Sequence, residues 1–146
     1  MPNVDVYKLS EVIFSIATIP VEDIAEDAEI RVTYDRERIT KTNDVNTGGL
    51  YNWRNAKPAR VEVPILPNSP WVNALQNYRN LGEMIPIALE DRNKYASRGK
   101  FICPKAMIQD PEIVFGAEAE PITFTFECIH LDDFYAESDM IPTISL

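Results

Sequence analysis

The chain has 146 residues, 45% of them hydrophobic and 25% charged, which fits one soluble domain spanning 1–146 and excludes a low-hydrophobicity disordered chain. No apolar run approaches the roughly 18 residues that a membrane-spanning helix needs, so no membrane anchor is expected. A net charge of −9 disfavours tight nucleic-acid binding, which needs a strongly cationic surface. That charge is unevenly placed: residues 1–30 carry −6, residues 31–60 carry +4, residues 61–106 carry +2 and residues 107–146 carry −9. Acidic ends and a basic middle fit either a mixed solvated surface or copies that meet through opposite charge.

Residues 1–10 are polar and read as an N-terminal arm. They lack the basic-then-apolar layout of a signal peptide, so synthesis in a cytoplasm is expected. Val12, Phe14, Ile16 and Thr18 alternate with Ile13, Ser15, Ala17 and Ile19, predicting a strand apolar on both faces that Pro20 stops. An acidic connector follows, then a second strand in which Ile30, Val32 and Tyr34 alternate with polar residues.

The periodicity fails from Asp35 to Lys57, and residues 40–57 read as a long projecting loop. Gly48-Gly49, Asp44 and Asn46 supply turn chemistry, while Leu50, Tyr51 and Trp53 sit near the tip. A disordered linker rarely carries two aromatics so close together. The stretch predicts a β-hairpin or arm that orders against a partner. The competing expectation is that Trp53 folds back onto its own core.

Ala59, Val61, Val63 and Ile65 alternate with Arg60, Glu62 and Pro64, the period of a half-buried strand. Ser69-Pro70 is a helix start, and Trp71, Ala74, Leu75 and Tyr78 put one apolar face on the helix that follows. Trp71, Leu75 and Tyr78 are therefore expected in the core, and Gly82 near the C-cap. Met84–Glu90 and Phe101–Ile108 predict strands, the second with an edge or bulge at Pro104. A short strand is expected at Ile113–Phe115, an acidic loop to Pro121, and a clear one-face-buried strand at Ile122–Cys128. Residues 132–146 read as a C-terminal tail, either a last short strand or an arm. About seven strands and one helix predict a mainly β fold: an antiparallel sandwich or barrel with a flanking helix and a long projecting loop.

Signs of catalysis are sparse. His130, the sole histidine, lies beside Asp132 and Asp133, and neither Cys103 nor Cys128 falls in an activating motif. Both cysteines sit in strand patterns and are expected as buried free thiols. Nucleotide, metalloprotease and CxxC motifs are missing, and Asp132-Asp133 and Glu90-Asp91 read as solvated turns. No enzyme activity, cofactor or metal is expected.

The run VEVPILPNSPWVNALQNYRN, Val61 to Asn80, resembles the tail tube proteins of contractile-tailed, Mu-like bacteriophages, in which such a strand leads into a Ser-Pro-x-x-Asn-Ala-Leu helix. The order of elements over about residues 10–135 is similar too; Leu50-Tyr51-Asn52-Trp53 departs from that group. The resemblance implies a fold similar to the tube component of type VI secretion systems. It further implies hexameric rings stacked into an inner tube, with sheath, tape-measure, baseplate and tail-terminator proteins as partners. DNA would pass through without specific binding, and the location would be the virion tail, assembled in a bacterial host cytoplasm. On that reading Asp44, Asn46, Gly48, Gly49, Leu50, Tyr51 and Trp53 form a ring-stacking loop, and Asp35, Glu37 and Glu127 are candidates to face the lumen. Alternatives are a terminator or baseplate-hub ring, or a monomeric carbohydrate- or peptide-binding sandwich using Tyr51, Trp53 and Trp71.

Overall fold

A computed structural model describes residues 12–25, 29–45, 48–92 and 99–135. The expected N-terminal arm, residue Asn46 and positions 136–146 of the tail lie outside these residues.

The spine is β6 (Ala59–Ile65), whose alternate residues Ala59, Val61, Val63 and Ile65 are buried as their spacing predicts. It pairs antiparallel with β9 (Ile122–Cys128) along its whole length, from Ala59 opposite Cys128 to Ile65 opposite Ile122. Its other edge carries β3 (Arg31–Tyr34). On the far side of β9 the sheet continues through β8 (Lys100–Ile108), β7 (Ile85–Asp91), β1 (Val12–Ile16) and the two-residue β2 (Ile19–Pro20). All pairings are antiparallel, so the mainly β expectation holds, with more and shorter strands than the seven foreseen.

The sheet curls over its own apolar face into two sandwich-like layers. Phe14 on β1 and Phe126 on β9 are separated by two strands in the sheet, yet their ring centroids lie 5.2 Å apart across the core. The layers do not close into a barrel, because β2 and β3 remain the two ends of the strand order. The connector after β2 bridges one end only: Ala25 N–H donates to Pro64 O (3.2 Å) and Leu66 N–H to Asp23 O (2.9 Å).

Two features bend the sheet. Against β7, the register of β8 slips by one residue between Cys103 and Ala106, a bulge at Pro104-Lys105 where proline has no N–H to give the ladder. On its other edge, β8 pairs with β9 through Ala106–Cys128 and with β10 (Asp132–Phe134) through Ile102–Asp132. Each step covers four residues, so β9 and β10 form one interrupted strand. Within the interruption Leu131 turns into the core, while Ile129 is 80% exposed.

Three expectations need correction. Glu90-Asp91 and Asp132-Asp133, expected in solvated turns, lie in strands β7 and β10, and Asp91 is buried. The first strand ends at Ile16: Ala17 and Thr18 take φ of 51° and 69°, the two left-handed positions of a tight hairpin turn into β2. Residues Ile113–Phe115 form no strand; between Asp110-Pro111 and Gly116 they run in a loop with their side chains exposed.

Helix α1 (Pro70–Leu81) begins where Ser69 Oγ accepts from Trp71 N–H (3.2 Å) and donates to Asp23 (2.8 Å). It ends at Gly82 with φ 66°, where Gly82 and Glu83 N–H groups satisfy the Arg79 and Tyr78 carbonyls. Of the three residues expected in the core, Leu75 is fully buried, while Trp71 and Tyr78 are half-buried and pack against it. The helix lies on β8 and flanks the sandwich.

Candidate assembly interface

The stretch expected as a projecting loop is a β-hairpin. Strand β4 (Ile39–Asp44) pairs antiparallel with β5 (Gly48–Trp53), and the two form a sheet of their own. The hairpin leaves the main sheet after Tyr34 and re-enters at Ala59, two residues that pair with each other, so it projects from one end of the sandwich. Gly48 takes φ 99°, which a side chain would resist, and this favours the turn that Gly48-Gly49 announces.

Strand alternation sorts the hairpin into two faces. Ile39 opposite Trp53 and Lys41 opposite Tyr51 form one; Thr40 opposite Asn52 and Thr42 opposite Leu50 form the other, where Asn52 donates to Thr42 Oγ1 (3.0 Å). Tyr51 is 75% and Trp53 60% exposed, so Trp53 does not fold back into the core. Its contact is instead the Arg38 guanidinium, 4.4 Å above the ring centroid. Of the stacking residues expected from sequence, Asp44, Gly48, Gly49, Leu50 and Tyr51 line one recess of about 450 Å³ with Lys41 and Asn43, whereas Trp53 lies at the hairpin base.

The three acidic lumen candidates do not form one acidic row. Arg60 on β6 reaches Glu127 (3.3 Å) on β9 and Asp35 (3.6 Å) just after β3, and Gln109 also donates to Glu127 (3.2 Å). Asp35 and Glu127 are thus drawn together and half-neutralised, while Glu37 stands exposed outside the cluster. Nearby, Arg36, Met84, Lys105, Met107 and Ile129 contribute to a groove of about 400 Å³ that Asp35 and Glu127 also line.

The hairpin is anchored by contacts that local sequence did not reveal. Lys57 Nζ pairs with Asp133 Oδ1 (2.6 Å) on β10, and Lys57 O accepts from Leu131 N–H (2.9 Å). The Lys57 hydrogen bond holds the Asp133 carboxyl below its usual pKa. Lys57 N–H donates to His130 Nδ1 (3.2 Å), so Nε2 carries the proton given to Asp132 (2.7 Å). His130 therefore serves as a bracket between two strands. Tyr34 closes the latch toward Leu131 O (3.5 Å); burial, then the Asp133 charge, pushes its hydroxyl up to about 12.

Cys103 and Cys128 are free and buried, as expected of core thiols, and Cys128 Sγ donates to Phe126 O (3.9 Å). The neighbouring Cys103 thiol and burial push the Cys128 thiol well above its usual range. Among the described residues, no group of three or more His, Cys, Asp or Glu side chains is placed to hold a metal ion.

No family model and no curated protein matches the sequence. The fold does match solved structures. One is the anti-feeding prophage cap, a tube-terminating cap, with a TM-score of 0.56 and 13% identity over 93% of this chain and 96% of that one. A second is the sheath/tube terminator of an extracellular contractile injection system in its extended state (TM-score 0.54, 10% identity, 90% and 96% covered). A third comes from the sheath-tube complex of such a system (TM-score 0.57, 10% identity, 88% and 90% covered). The chain thus shares its fold with these cap, terminator and sheath-tube structures, over nearly the full length of both partners in each comparison.

Proposed function

We propose that this chain is a non-catalytic, ring-forming subunit of a contractile tail or tail-derived injection particle. Its role is to self-assemble into stacked, hexameric rings of the inner tube. The observation that carries the reading is the exposed hairpin: a two-stranded ribbon is marginal alone in water, yet this one presents Ile39, Tyr51 and Trp53 outside the core. An apolar arm of that kind is suited to ordering against a neighbour. The tail-related fold supplies the context, and the Val61–Asn80 resemblance favours the tube in particular.

In this reading the sheath, tape-measure and baseplate proteins are partners, and DNA slides through the ring without specific contacts. The polar face of β3, β6 and β9, where Asp35, Arg60 and Glu127 meet, is a candidate for the channel wall. Its mixed charges would deny phosphate a continuous cationic track. A second reading, a ring that terminates the tube, is favoured by the two terminator structures, each covered to 96% of its length.

Sedimentation velocity across a concentration series separates these readings. A tube subunit should form rings that lengthen into polydisperse, fast-sedimenting polymers as concentration rises. A terminator should stop at one ring-sized species. A monomer at every concentration would remove both.

A further inference from the structure

The sandwich leaves apolar surface exposed at both ends of the same strands. At the Ala59–Cys128 end, the hairpin presents Tyr51 and Trp53, with Arg38 over the Trp53 ring, on a segment (36–54) whose four basic residues, Arg36, Arg38, Lys41 and Arg54, outnumber its two acids, Glu37 and Asp44. At the Ile65–Ile122 end, the loop between β8 and β9 presents Ile113, Val114 and Phe115, the last 96% exposed. This loop also carries Glu112, Glu118 and Glu120 and has no Lys or Arg from Asp110 to Pro121. Asp110 is held by Arg79, but no ion pair engages the three glutamates among the described residues. The length of β9 puts about 20 Å between these ends, so the two surfaces cannot satisfy each other within one copy.

We propose that the 110–120 loop of one copy is the docking surface for the hairpin-bearing end of a second copy. This rests on the reading of the chain as self-assembling and adds the surface on which successive copies meet. The apolar strip would desolvate the Tyr51 and Trp53 rings, the type of anchor that dominates interface energies. The glutamates would face the guanidinium and ammonium groups of that segment, fixing register and speeding encounter. Because donor and receiver are different patches at opposite ends, the contact is head-to-tail and repeats along a stack.

The test is a charge-swap rescue read by sedimentation of the full chain, with circular dichroism to verify folding. The first variant is Glu112→Lys/Glu118→Lys/Glu120→Lys and the second is Arg36→Glu/Lys41→Glu/Arg54→Glu. Each alone should raise the concentration for half-assembly roughly tenfold or more, and a chain carrying both sets should recover most of the loss. Phe115→Ser should weaken assembly without changing the fold. If the wild type assembles and the swaps leave it unaffected, or the combined chain is not rescued, the docking surface is overturned while the assembly reading stands. If the wild type never assembles, both fall.

Discussion

At the residue scale, the molecule shows which local chemistry announces itself and which does not. Ser69, Pro70 and Gly82 were legible because each has a distinct backbone role, and the helix starts and stops on them. Ala17 and Thr18 were not: neither residue signals a positive φ, and they sit in what reads as continuous strand alternation. A β-branched residue at φ 69° is costly, so Thr18→Gly should raise stability by about 1 kcal/mol, visible as a higher urea midpoint. No gain would mean that the turn is not held in that conformation. Leu75→Ala should cost about 2–5 kcal/mol, because its side chain is wholly enclosed between helix and sheet. The same denaturation experiment checks it, and a loss below 1 kcal/mol would show that the helix is not pinned there.

Pairings distant in sequence could be read only from the fold. Lys57 and Asp133 are 76 residues apart and look like ordinary surface charges in the sequence. Lys57→Met should destabilise by about 1 kcal/mol, since the pair is mostly covered but retains some water. Asp133 has a folded-state pKa below its unfolded value, so its contribution is present above about pH 4 and is lost as pH falls through the lower, folded value. The wild type should therefore lose more stability on acidification than Lys57→Met. Parallel pH profiles of Tm would contradict the latch.

At the element scale, the hairpin was readable as a projecting arm with turn chemistry at Gly48-Gly49, but its strands were not individually legible. Thr40, Thr42 and Asn52 alternate with no apolar contrast, because neither face packs on a core. The opposite error occurred at Ile113–Phe115, where three apolar residues read as a strand although no free edge receives them. Replacing residues 39–53 with a short Gly-rich link should leave the Tm of the subunit within a few degrees, because the described side chains of this segment contribute almost nothing to the core. It should also abolish self-association in size-exclusion chromatography. A deletion that unfolds the subunit would place the hairpin in the folding unit, and unimpaired association would remove it from the interface.

At the scale of the whole molecule, strand alternation on β6 and β9 made the sandwich readable, since both strands bury one face and show the other to water. The curl that brings Phe14 to Phe126, and the continuity of β9 with β10, arise from sheet twist and the Pro104 bulge acting over long sequence separations. No local window contains that information. The lumen candidates depended on it as well: Asp35 and Glu127 read as independent acids, but the fold places Arg60 between them. What remains outside the core is an aromatic hairpin with a small excess of basic residues at one end and an acidic, apolar loop at the other, a polarity suited to stacking. Electron microscopy of the purified chain at high protein concentration tests that polarity most directly. Rings with an open centre, singly or stacked along a common axis, are the expected result; a uniform field of single 16.6 kDa particles at every concentration would contradict it.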